Sequence, residues 1–191
     1  MYRKLIILLV LVAVVALLAI NSILAKEPVI EQEMVIWEIS KAKVVDPGST
    51  VDMAEGQFFT GYTIEAKVKA KNNNVVPEGD FRLTLDAFSP YEDMGKQKAG
   101  RWYVQGHWTI TKKNADEKEL KVKHNPNKAE GTLVAELTDN PMTKKGNWTG
   151  KAILPMVLAA GRWSRGDGTL TFGPNLDGDL FLQLDRWPEA K

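Results

Sequence analysis

Beyond residue 25 the chain alternates apolar and polar side chains in short runs, the two-residue period of a strand with one buried and one wet face. Gly61 to Lys71 carries the pattern most clearly. Tyr62, Ile64, Ala66, Val68 and Ala70 point one way; Thr63, Glu65, Lys67, Lys69 and Lys71 point the other. Phe81, Leu83, Leu85 and Ala87 repeat it against Arg82, Thr84 and Asp86. Arg101 to Thr111 repeats it again, with Trp102, Val104, Trp108 and Ile110 in phase and Gly106 between the two indoles, and this is the expected central strand. Met34 to Ile39, a run through Leu133, Ala135 and Leu137, Trp148 to Leu154, Thr169 to Phe172 and Leu180 to Leu184 complete about eight short strands.

Turn residues separate these runs. Asp46-Pro47-Gly48-Ser49 ends the first strand, Pro presetting φ and Gly supplying φ > 0. Asn72-Asn73-Asn74 with Pro77-Glu78-Gly79-Asp80 makes the next connection, and Lys112 to Lys128 reads as a solvated hairpin or loop, its six Lys offset by Asp116, Glu117 and Glu119. Asp167-Gly168 is read as a further turn, which also accounts for the Arg165-Gly166-Asp167 tripeptide. Two short helices, Ala115 to Lys121 and Pro155 to Ala160, are the only helical candidates in this part. The pattern predicts an all-β domain, an antiparallel β-sandwich or barrel over residues 34–191, since alternation of this kind belongs to antiparallel sheets with one solvated face.

The N-terminal stretch obeys a different rule. Leu5 to Ile20 is unbroken apolar, and with the run on to Ala25 it makes roughly 31 Å of helix, enough to cross a hydrocarbon core. Arg3 and Lys4 precede it, and Glu27, Glu31 and Glu33 follow Lys26, so the positive-inside bias places the N-terminus in the cytoplasm and the β domain outside it. A signal peptide shares the charged start, but its apolar region is shorter, and cleavage after Ala25 would put bulky Ile23 where a small residue is preferred. The expected organisation is a transmembrane anchor over 1–25 (or a signal peptide), a tether over 26–33 and a periplasmic or extracellular β domain.

Charge and composition narrow the partners. Of 25 Lys and Arg, two precede the apolar stretch, which leaves 23 against 24 Asp and Glu. That balance supplies no broad field for phosphate backbones, so nucleic acid is not an expected partner. With no Cys there is no disulfide, no thiolate metal site and no cysteine-linked lipid, and the membrane contact falls to the apolar helix.

A Gly stands two residues before a Trp four times, at Gly100/Trp102, Gly106/Trp108, Gly146/Trp148 and Gly161/Trp163, where chance gives about half of one such pairing. In a strand these positions share a face, and the missing side chain lets an indole lie over backbone. The indoles either fill a core or form platforms for a sugar or apolar ligand; on the second reading Trp102, Trp108, Trp148 and Trp163 are the candidate ligand-binding residues. Gly100-Arg101-Trp102-Tyr103 resembles the G-x-W signature of lipocalins over these four residues, although in that family the signature lies near the start of the barrel and here it lies mid-chain.

Other motifs dissolve on inspection. Gly161 to Gly166 is one residue too long for a nucleophile elbow and has no βα unit around it. His107 alternates with its strand's core positions and should face solvent or a second sheet, and His124 sits among lysines, so the two histidines make no ligand set. Asn175, Asp177 and Asp179 alternate around Gly178, but a calcium loop in that register would open on Gly173 and close on Leu184, neither of which supplies a carboxylate. Asn147-Trp148-Thr149 matches a glycosylation acceptor. No catalytic, metal or cofactor-binding residues are assigned. The reading is a membrane-anchored binding or assembly module that is not an enzyme; the alternative is a lipid or sugar carrier with a Trp-lined cavity, and a third is a hydrolase using Asp86, Glu92 and Asp93.

Overall fold

In the computed structural model, residues 29–72, 78–91, 101–113, 128–137, 148–159, 162–173 and 175–188 are described. Nine strands follow one another: β1 (Glu31–Asp46), β2 (Ser49–Asp52), β3 (Gly56–Ala70), β4 (Glu78–Pro90), β5 (Trp102–Lys112), β6 (Lys128–Leu137), β7 (Trp148–Ala159), β8 (Arg162–Phe172) and β9 (Gly178–Arg186). All pairings are antiparallel, and each strand from β3 to β9 lies beside the next. Strand β1 then pairs with β9 on one side and β3 on the other, closing an eight-stranded barrel, while β2 adds a short flap along the start of β3. Of sandwich and barrel, the chain forms the barrel.

The stagger can be followed through the pairs. A row from Tyr62 on β3 passes Leu85, Gly106, Leu133, Ala152, Gly168, Leu182 and Val35. It comes back to β3 at Asn72, just past the Trp37–Ala70 pair, where the Asn72 side chain accepts from the Ile36 amide and donates to the Met34 carbonyl. A stagger of about ten residues around eight strands tilts them by roughly 40°, and a barrel of this size is narrow enough for side chains to fill. They do so by alternating large and small residues along each row, as the Leu, Gly and Ala positions just named illustrate. Trp37, Ile64, Leu83, Trp108, Leu133 and Leu182 are fully buried, and Phe81 from β4 meets Phe172 from β8 with ring centres 6.3 Å apart.

Several expected turns and helices prove to be strand. Pro155 to Ala159 belongs to β7, with Pro155 at a break in register between Leu154 and Val157, where its missing N–H interrupts no ladder. Asp167-Gly168 lies in the middle of β8, opposite Ile153 and Ala152. Gly166 and Gly168 are glycine because they face the barrel interior: a Cβ on Gly166 would come within 2.6 Å of Leu184 Cδ2, and one on Gly168 within 2.0 Å of the Phe181 carbonyl. Glu78, Gly79 and Asp80, expected in a connection, begin β4, and β1 reaches back to Glu31, into the expected tether. The Asp46-Pro47-Gly48-Ser49 turn is present, with Gly48 at φ 68° and its amide donating to Asp46 Oδ1 at 2.8 Å. The Leu5–Ala25 segment, the Ala115–Lys121 helix, His124, Glu92, Asp93 and Asn147 lie outside the described residues.

The outer wall carries charged cross-strand rungs such as Lys43–Glu65–Arg82, Lys67–Asp80, Lys71–Asp179 and Arg165–Asp185. Exposed pairs of this kind add little stability each, but they mark that wall as water-facing. At the end of the barrel where β1 begins, Arg186 is buried and held by Glu33 at 2.8 Å.

Candidate functional site

The four candidate tryptophans do not share one surface. Trp102, Trp108 and Trp148 point into the barrel at 3%, 0% and 9% exposure, whereas Trp163 lies on the outer wall at 39%. Trp148 packs on Phe172 with ring centres 4.8 Å apart, and Trp108 donates Nε1–H to the Thr132 carbonyl at 3.0 Å. The expectation that an indole covers a glycine holds across strands instead of along one: Trp108 lies on Gly131 of β6, while Gly106 makes room for Leu85. Gly100, Gly146 and Gly161 lie outside the described residues.

A feature the strand pattern passes over stands on the outside. Val51 on β2 pairs with Phe58 on β3, Phe58 with Phe88 on β4, and Phe88 with Tyr103 on β5, so four outward apolar side chains form one row across four strands. Val51, Phe58 and Tyr103 are 50%, 44% and 50% exposed, and Val134 on β6 lies beside them. The Phe58 and Phe88 rings are 5.1 Å apart and tilted by 36°, within the range of favourable aromatic pairs. Phe88 and Tyr103 occupy the polar phase of an alternating strand, Tyr103 between buried Trp102 and Val104, whereas Phe58 is in phase with Tyr62 and Ile64 and faces out because the register breaks before Tyr62. The misplaced phase of Phe88 and Tyr103 is the signal the sequence offers for this surface.

A bulge sets the row in place. Phe59 and Tyr62 both point inward although they are three positions apart, because the register breaks between them and Gly61 takes φ 78°. Asp86 pins the bulge: its Oδ1 accepts from Thr60 Oγ1 at 2.6 Å and from the Gly61 amide at 2.9 Å. Replacing Asp86 with Ala removes both acceptor bonds and is expected to cost about 1 to 3 kcal/mol. Asp86→Asn retains an acceptor and should cost clearly less; equal urea midpoints for the two variants would refute the pinning role.

Asp86 also opens onto a groove. One depression of ≈ 450 Å³ is lined by Phe58, Phe88, Tyr103 and Val134 together with Asp86 and Gln105. A second, of ≈ 460 Å³, shares Asp86, Gln105 and Val134 and continues past Thr84, His107 and Thr132. Together they run along the outer face of β5, aromatic at one end and polar at the other. His107 faces outward there, as the alternation predicts, with Nε2 3.8 Å from Glu130. At the aromatic end Tyr91 OH reaches toward Asp52 at 3.5 Å; loss of water and the Asp52 charge push its pKa up, so the phenol stays neutral. Glu136, beside Tyr103, is held by Arg101 at 2.6 Å.

Asp86 is the one carboxylate of the expected hydrolase set among the described residues, and the two hydrogen bonds it accepts both serve the bulge. Between β8 and β9 the Gly173 amide donates to the Asp177 carbonyl at 2.7 Å and the Leu176 amide to the Gly173 carbonyl at 2.9 Å, with Leu176 at φ 64°. Comparison with protein-family models, with curated proteins and with solved structures finds no match to this chain.

Proposed function

We propose that this chain is a non-catalytic binding module that docks a protein partner on the outer aromatic face of β2 to β5, and that Leu5–Ala25 holds it to a membrane with the barrel outside the cytoplasm. The observation that carries the reading is the register-aligned row Val51, Phe58, Phe88 and Tyr103 on a wall whose neighbouring positions are mostly polar or charged. Apolar side chains gathered this way, bordered by polar groups, are what interaction surfaces use, whereas scattered single ones need no explanation. The carrier alternative has less support, because Trp37, Trp102, Trp108 and Trp148 lie among packed neighbours inside the barrel.

The test is site-specific photo-crosslinking in cells. A photoreactive residue at position 103 should give an adduct that is lost when Phe58→Ser is added, while one at position 69, on the charged wall, should give none. Phe58→Ser alone should leave the barrel folded at a cost of about 1 kcal/mol, the loss of the half-exposed ring pair with Phe88. Equal crosslinking from both positions would refute the docking face. N-terminal sequencing of the membrane fraction tests the anchor, and a mature chain starting near Lys26 would overturn it.

A further inference from the structure

We infer that the docked partner is an extended peptide segment carrying an apolar side chain and, two residues away, a lysine or arginine. The inference rests on the docking reading above and adds the chemistry of what docks.

The size of the face selects a small occupant. Val51, Met53, Phe58, Tyr103 and Val134 are each about half exposed and together offer roughly 400 Å² of apolar surface. A second copy docked through the same face would bring two borders rich in carboxylates together, Asp52 and Asp86 among them, which disfavours self-association. From Tyr103 to His107 the groove follows β5 for about 14 Å, the span of about four residues of extended chain.

The spacing of groups within the groove selects the pattern. Phe88 and Asp86 are two residues apart on β4 and face the same way, so the aromatic floor and the carboxylate are separated by about 7 Å. Alternate side chains of an extended peptide have the same separation. An apolar residue over Phe58, Phe88 and Tyr103 therefore puts the side chain two positions along above Asp86. Both hydrogen bonds that Asp86 accepts fall on Oδ1, which leaves Oδ2 for a cation, and no salt bridge to Asp86 exists among the described residues. Asp52, Glu55 and Glu136 border the aromatic end, with Arg101 on Glu136 the cation paired there. The face thus favours positive charge next to the apolar anchor.

The test uses the full chain in detergent and fluorescently labelled synthetic peptides of the form apolar–any–lysine, read by anisotropy. These should bind about tenfold more tightly than peptides with glutamate in place of the lysine, and more tightly than peptides whose apolar residue and lysine are adjacent. Asp86→Asn keeps an acceptor for Thr60 and Gly61 and should abolish the lysine preference while the barrel stays folded, with a melting temperature well above that of Asp86→Ala. A lysine preference that survives Asp86→Asn, or equal binding of the adjacent-residue peptides, would overturn the inference. Sedimentation of a dimer that dissociates on Tyr103→Ser would overturn it in favour of a second copy. If crosslinking from position 103 stands while the peptides show no charge preference, this inference falls and the docking face remains; if both fail, both fall.

Discussion

Trp108→Ala is expected to remove about 3 to 5 kcal/mol of folding stability, the range for deleting a large buried aromatic side chain. Trp108 has no exposed surface, lies on Gly131 from the neighbouring strand and gives its indole N–H to the Thr132 carbonyl. Truncation therefore opens a cavity between β4 and β6 and removes a donor at once. A closed barrel cannot shrink to fill the space, because its circumference is fixed by eight ladders of hydrogen bonds. Against a total of about 5 to 15 kcal/mol, the variant should lose much of its margin over unfolding. Trp163→Ala, on the outer wall, is the comparison and should cost about 1 kcal/mol. Urea denaturation followed by circular dichroism measures both. A Trp108→Ala midpoint close to that of the unmodified chain would show that the indole is not core and would revive the ligand-carrier reading.

The interior of this barrel is legible in the sequence because it obeys one period. On β5 the alternation of Trp102, Val104, Trp108 and Ile110 against Tyr103, Gln105 and His107 separates inside from outside without error. Legibility ends where the period breaks. The alternation predicts β3 from Gly61 onward, but the strand starts at Gly56, since the Thr60–Gly61 bulge inverts the phase and hides the preceding residues from a two-residue template. The glycines of β8 mislead for a related reason. Asp167-Gly168 has the composition of a hairpin turn, and only the closeness of β9 reveals that Gly166 and Gly168 are small because Leu184 and the Phe181 carbonyl crowd them. Closure itself leaves no local trace, as it depends on β1 meeting both β9 and β3, its partners in distant parts of the chain.

The candidate site is hidden by the same regularity. An alternation template counts Phe88 and Tyr103 as exceptions to be averaged away and takes Phe58 for core, in phase with Tyr62 and Ile64; only the register shows that the three are neighbours on the outside. The four tryptophans draw attention instead because they are rare and large, which are the properties that also make a residue useful for filling a core.

Gly131→Ala should be damaging out of proportion to the single methyl it adds. A Cβ there would stand 2.0 Å from the Ile153 carbonyl oxygen and 2.4 Å from Trp108 Cζ2, both far inside contact distance. Neither neighbour moves freely, since Ile153 lies in the ladder between β6 and β8 and the Trp108 indole is anchored through Nε1. Overpacking of this kind costs about 1 to 3 kcal/mol and sometimes more. The two collisions can be separated by a double-mutant cycle with Trp108→Leu, which keeps the site apolar but withdraws the ring from above residue 131. If the indole carries much of the strain, Gly131→Ala will cost about 1 kcal/mol less in the Trp108→Leu background than alone; some cost will persist because the Ile153 carbonyl is still there. Additivity within about 0.5 kcal/mol would instead place the whole penalty on the strand pairing, and would sink the idea that glycine is required at 131 to seat the tryptophan.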